Sequence, residues 1–130
     1  MKKKSDIEIT EAGESVLLEG KWKYRENYGY GMAEGELILE QDGEKISGKI
    51  IFTDKVEEES PYMIQELVRG EIDENKVKLK AYDFDIIDSD HDVHYELDNW
   101  FGIIVDHNTI KGVSRDNQEV EGSFVFERMN

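Results

Sequence analysis

The sequence predicts an all-β domain whose strands, about eight of them, close into an antiparallel up-and-down barrel. Three observations predict it. Apolar and polar residues alternate with period 2 in segment after segment, which is how a strand with one buried face is written. The connections between segments are short, polar and rich in Asn, Asp and Gly, so they join antiparallel neighbours. A glycine recurs at one place in six of the segments: Leu18-Glu19-Gly20-Lys21-Trp22, Ala33-Glu34-Gly35-Glu36-Leu37, Ile46-Ser47-Gly48-Lys49-Ile50, Val68-Arg69-Gly70-Glu71-Ile72, Ile110-Lys111-Gly112-Val113-Ser114 and Val120-Glu121-Gly122-Ser123-Phe124.

Each of those glycines shares the phase of its apolar neighbours and so points inward. There a missing side chain lets a strand coil tightly, or lets a bulky residue from across the barrel lie on bare backbone. A glycine-rich sandwich is the alternative, but sequential hairpin-linked strands with no evident Greek-key crossover would leave it two exposed edges, which closure removes.

In chain order, residues 1–15 carry charge without periodicity and are expected to form a mobile tail, and 16–130 form the barrel. The strands are expected at 17–25, 34–41, 45–54, 61–72, 76–87, 93–105, 109–115 and 119–128. The fifth changes phase between Ala81 and Tyr82, from Val77, Leu79 and Ala81 to Tyr82, Phe84 and Ile86, which predicts a β-bulge. The sixth alternates without a break, and the face Val93, Tyr95, Leu97, Asn99, Phe101, Ile103 and Val105 is expected to be core. No window carries a 3.6-residue stripe, so any helix is confined to one turn near Glu57-Glu58-Glu59-Ser60.

Composition bounds the function. Of 130 residues, 31 are Asp or Glu and 16 Lys or Arg, a net charge of −15. That excess repels phosphate backbones and anionic headgroups, so neither nucleic acid nor membrane is an expected partner, and a basic protein or a cation is favoured. Low mean hydropathy leans toward disorder. Thirteen aromatics, one proline and the strict alternation argue instead for a packed core. Without cysteine there is no disulfide, thiolate metal site or thiol nucleophile. Met1-Lys2-Lys3-Lys4 looks like the start of a signal peptide, but Ser5-Asp6-Ile7-Glu8-Ile9-Thr10-Glu11 follows where an apolar segment is required, so a cytoplasmic protein is expected.

Gly20-Lys21-Trp22 on the first strand, with Arg128 on the last, resembles the structural signature of the calycin superfamily, the lipocalins, avidins and fatty-acid-binding proteins. The resemblance implies a calycin-like barrel in which Trp22 closes one end and Arg128 packs across its indole, as a guanidinium does well. It implies a general capacity to hold a small ligand. Biotin binding does not follow, because Trp100 is the only other tryptophan.

Two places offer binding. An eight-stranded barrel has room for filling side chains or for one small molecule. Its expected fillers are Trp22, Tyr24, Phe52, Tyr62, Tyr95, Phe101, Phe124 and Phe126. Tyr24, Tyr62, Tyr95 and Asn99 are the inward polar groups expected to orient an apolar or aromatic ligand, with Tyr28-Gly29-Tyr30-Gly31 as an aromatic lid. The second place is the acidic stretch 83–98, read as a hairpin, where Asp83, Asp85, Asp88, Asp90 and Asp92 would dock a basic protein partner. In charge and size, though in no motif, such a chain resembles bacterial immunity proteins and other inhibitors.

Asp88, Asp90 and Asp92 mimic the opening of a calcium loop, yet Val93 stands where its glycine belongs and Asn99 where its glutamate does. His91 and His94 have helix-face spacing in a segment expected to be extended. No metal and no cofactor are expected. His107 reads as a turn residue, and no phosphate loop or Ser, His and Asp arrangement stands out, so the expectation is a binding protein and not an enzyme.

Overall fold

The computed structural model describes residues 17–90, 92, 93 and 95–129. The expected tail, and the His91 and His94 pair, lie outside the described residues. Eight strands form one closed antiparallel barrel in sequence order: β1 (Gly20–Asn27), β2 (Gly31–Asp42), β3 (Lys45–Val56), β4 (Tyr62–Asp73), β5 (Lys76–Asp88), β6 (Asp98–Asp106), β7 (Thr109–Asp116) and β8 (Glu121–Arg128). Closure is made by β1 against β8, running in register from Trp22 opposite Arg128 to Asn27 opposite Ser123.

The turns use the residues expected of them. Gly43 takes φ +65° between β2 and β3. Asp116 Oδ1 accepts the amides of Gln118 and Val120, both at 2.9 Å, between β7 and β8. At 57–60 there is no helical turn. Glu59 N donates to Val56 O at 3.1 Å with Glu58 at φ +66°, a β-turn that the compact strand-to-strand connection needs and a helix would overshoot.

The recurring glycines hold the expected phase, and four of them, Gly35, Gly48, Gly70 and Gly112, serve close strand approach. A Cβ on Gly48 would lie 1.8 Å from Ile38 O of β2, and one on Gly70 would lie 1.7 Å from Lys78 O of β5. At these corners the neighbouring backbone occupies the place of a side chain, which lets a small barrel bend sharply enough to close.

The bulge falls where the phase change placed it. Leu67 pairs with Asp83 and Val68 with Ala81, leaving Tyr82 as the extra residue. Tyr82 itself points outward, with the Arg69 guanidinium 4.4 Å from its ring centre, so the expectation that it joins the core is corrected. Beyond it Ile86 packs on the core, while Phe84 stays 40% exposed with its ring against Tyr95.

Strand β6 corrects the phase chosen from sequence. Trp100, Gly102 and Ile104 face inward, whereas Phe101, Ile103 and Val105 are exposed. Both faces of this segment are apolar, so alternation alone could not choose between them. The larger indole takes the interior, where its Nε1–H finds a buried acceptor, Glu26 Oε1, at 3.3 Å.

The strand also begins five residues later than expected, at Asp98 rather than 93. β5 pairs with β6 only over Lys76–Lys80. Past that point the two strands part, so the acidic stretch is not a hairpin. Val93, Tyr95 and Leu97 of the intervening segment pack against the core at the gap.

At the end of the barrel where β1 begins and β8 ends, Trp22 is fully buried and Arg128 lies over it, 4.4 Å from carbon to ring centre. The guanidinium donates to Leu17 O at 2.8 Å, His107 O at 3.0 Å and Glu19 O at 3.3 Å, which ties the chain entering β1 to the β6–β7 turn. The other end, where the β1–β2, β3–β4, β5–β6 and β7–β8 connections gather, is open.

Candidate functional site

The open end is built from strand positions that carry a polar residue in the buried phase. β1 reads Trp22, Tyr24, Glu26 inward; β3 reads Ile50, Phe52, Asp54; β4 reads Tyr62, Ile64, Glu66, Val68; β6 contributes Asp98 and Trp100; β7 contributes Ser114. Toward the closed end these rows are apolar. Toward the open end each ends in a carboxyl or hydroxyl.

The carboxyls are held by hydroxyls and an indole. Glu26 Oε1 accepts the Tyr24 hydroxyl and Trp100 Nε1–H, and Glu26 Oε2 accepts the Ser114 hydroxyl. The space Glu26 needs is left by Gly122, whose Cβ would stand 2.6 Å from Glu26 Oε2. Tyr62 donates to Asp54 Oδ2 at 2.7 Å, and the Tyr95 hydroxyl donates to Asp98 Oδ2. Glu66, wholly buried, accepts the Asp98 amide at 3.3 Å through Oε2. Among the described residues the buried Asp54 Oδ1 has no hydrogen-bond partner, while the Glu66 carboxyl shares a side-chain hydrogen bond with Asp98.

Burial pushes all four carboxyls above their usual range. Asp54 is moved to about 6 by loss of water, despite the Tyr62 hydroxyl acting the other way. Glu26 moves in the same direction for the same reason, opposed by its three donors. Glu66 and Asp98 share one environment: burial raises both, and the Asp98 charge raises Glu66 further, so Glu66 is the member that keeps a proton at neutral pH.

Above this layer lies a cavity of about 230 Å³. Tyr24 and Phe52 floor it, Tyr62 and Tyr95 wall it, and Tyr28 and Tyr30 stand at its rim. Four of the rings form one cluster, in which Tyr24 and Phe52 meet edge-on at 5.4 Å, Phe52 and Tyr95 are 6.5 Å apart, and Tyr62 and Tyr95 meet edge-on at 6.4 Å; Tyr28 and Tyr30 pair with each other at 5.2 Å. Seven carboxylates line it, Glu26, Asp54 and Asp98 within and Glu59, Glu96, Asp116 and Glu121 around the mouth. Among the described residues no Lys, Arg or His does.

Three of the four expected ligand-orienting residues, Tyr24, Tyr62 and Tyr95, are brought together in this cavity. Asn99 is not. It sits on the outer face of β6, donating from Nδ2 to Arg115 O at 3.2 Å, a consequence of the reversed strand phase. Asp83, Asp85, Asp88, Asp90 and Asp92 are all exposed on the outside of the barrel. Sequence reasoning passed over Glu26, Asp54 and Glu66. The signal was present, because each shares the phase of apolar residues on its strand. Among the described residues no cluster of three or more His, Asp or Glu side chains could hold a metal ion.

No protein-family model matches the chain, and none of the curated proteins does. Its backbone is similar to that of several solved barrels. The redesigned β-barrel mFAP1, bound to DFHBI, aligns at TM-score 0.61 and 7% identity over 85% of this chain and 94% of its own. EF1p2_mFAP2b bound to DFHBI aligns at TM-score 0.59 and 8% identity over 86% and 94%. A fluorescence-activating β-barrel designed de novo aligns at TM-score 0.54 and 14% identity over 86% and 94%. At such identities the likeness is one of fold.

Proposed function

We propose that this chain is a non-enzymatic binding protein that holds a small ligand with an aromatic or apolar body in the open end of its barrel. The observation that carries the reading is the cavity of about 230 Å³ walled by Tyr24, Phe52, Tyr62 and Tyr95. A concave site with aromatic walls and a few convergent polar groups is how small-molecule sites are built. That barrels of similar fold hold DFHBI supports the same use of this architecture. The Trp22 and Arg128 stack supports kinship with calycin barrels, in which those two residues are structural.

The test is native mass spectrometry of the chain isolated from its own cells, with thermal denaturation against small aromatic compounds. The expected result is a retained small molecule, or a rise in melting temperature on adding one, that is lost in Tyr62→Ala and Tyr95→Ala. A bare chain mass with no thermal response overturns the reading.

A second reading rests on the exposure of Asp83, Asp85, Asp88, Asp90 and Asp92 along the end of β5 and the segment after it. These carboxylates suit capture of a basic protein, with charge steering its approach. Association that weakens steeply with salt and is lost when all five become Asn supports this reading; binding indifferent to both changes removes it.

A further inference from the structure

We infer that the ligand of the open-end cavity is a small organic cation, an amine or quaternary ammonium, whose charge is met by Asp54 and whose body lies on the tyrosine and phenylalanine rings. The inference rests on the binding reading above and names the chemical class it takes. Asp54 is 8% exposed, and its two oxygens differ: Oδ2 accepts the Tyr62 hydroxyl at 2.7 Å, while among the described residues Oδ1 has no hydrogen-bond partner. A buried carboxylate oxygen without a donor is costly and calls for one. The other inward carboxyls of the cavity are already engaged: Glu26 accepts at both oxygens and Asp98 accepts the Tyr95 hydroxyl.

The rest of the cavity excludes the alternatives. An anion would meet seven lining carboxylates and, among the described residues, no base. A neutral ligand could at most donate one hydrogen bond to Asp54, and by covering it would strip water from the carboxylate while leaving its charge uncompensated. A hard metal ion wants several convergent oxygens, and among the described residues no three carboxyls converge to hold one, whereas the ring faces that line the cavity attract organic cations. The volume, about 230 Å³, is below the roughly 300–1,000 Å³ of drug-sized sites, so the occupant is small.

Benzylamine, benzyl alcohol and benzoate present one ring with a cation, a neutral group and an anion. Titrated calorimetrically into the full chain at pH 7.5, benzylamine is expected to bind at least tenfold more tightly than benzyl alcohol, with benzoate silent. Asp54→Asn, which keeps an acceptor for the Tyr62 hydroxyl, is expected to weaken benzylamine at least tenfold and leave benzyl alcohol unchanged. Benzyl alcohol binding as tightly as benzylamine overturns the cation inference while the binding reading stands, and that comparison needs no variant. Undiminished benzylamine binding by a folded Asp54→Asn chain also overturns it. Failure of all three probes to bind overturns both.

Discussion

Trp100 on β6 reaches across the interior to Glu26 on β1, its indole N–H 3.3 Å from the carboxylate that also accepts the Tyr24 and Ser114 hydroxyls. This one residue decides which face of β6 is inside. Trp100→Ala is expected to cost about 3–5 kcal/mol, as a large aromatic lost from a packed core does. Phe101→Ser and Ile103→Ser, on the outer face, are expected to change stability by about 0.5 kcal/mol. Urea denaturation of the three variants checks the phase, and a large loss at Phe101 with a small one at Trp100 would reverse it.

Arg128 acts on Trp22 and on three carbonyls together. Arg128→Ala is expected to lower stability by about 2 kcal/mol, combining a partly exposed cation–π contact with charge-assisted hydrogen bonds. Arg128→Lys keeps the charge but loses the planar fork and should fall between. Equal urea midpoints for Lys and Arg would show that charge alone matters here.

Glycine substitutions separate two kinds of close contact. Gly48→Ala drives a Cβ to 1.8 Å from Ile38 O, which belongs to a paired backbone and cannot yield, so the barrel should fail to close. Gly122→Ala meets a side-chain oxygen, Glu26 Oε2 at 2.6 Å, so its cost is expected to be about 1–3 kcal/mol with the fold retained. Circular dichroism and thermal denaturation distinguish the two outcomes.

Stability should fall as pH rises from about 4 toward 8. Glu26, Asp54, Glu66 and Asp98 all hold protons more tightly when folded than ordinary carboxyls do. In that window the native state binds more protons than the unfolded chain, so each increment of pH favours unfolding. For Asp54 the loss runs up through about pH 6 and is complete only above it, and Glu66 extends the loss to higher pH. Glu66→Gln should flatten the profile and raise stability at pH 8 by about 2 kcal/mol. A urea midpoint that climbs between pH 5 and 8 would contradict this.

Much of the barrel was legible because its construction rules are local. Alternation marked the strands, Asp and Gly marked the turns, and the shift of phase at Tyr82 marked a bulge that the pairing of Val68 with Ala81 and Leu67 with Asp83 reproduces. Tyr24, Tyr62 and Tyr95 were legible as inward, cavity-lining residues because two of them sit in the apolar phase of their strands, and Tyr95 lies in a segment that packs inward whether or not it is extended. Asn99 was misplaced because it was carried along with a strand face apolar on both sides.

By itself, then, the sequence determined the class of fold, the spacing of its strands and the inward glycines, all of which follow from period 2 and from neighbours along the chain, whereas the packing of Arg128 on Trp22 was implied by a resemblance. Tertiary structure alone decided which face of β6 is buried, where β5 and β6 part, and that Asp54 is left one oxygen short. Those are questions about what lies across the barrel. A side chain's solvation, its partners and hence its proton affinity are set by residues remote in sequence, and a strand's pattern records only that something is buried, never what it will meet.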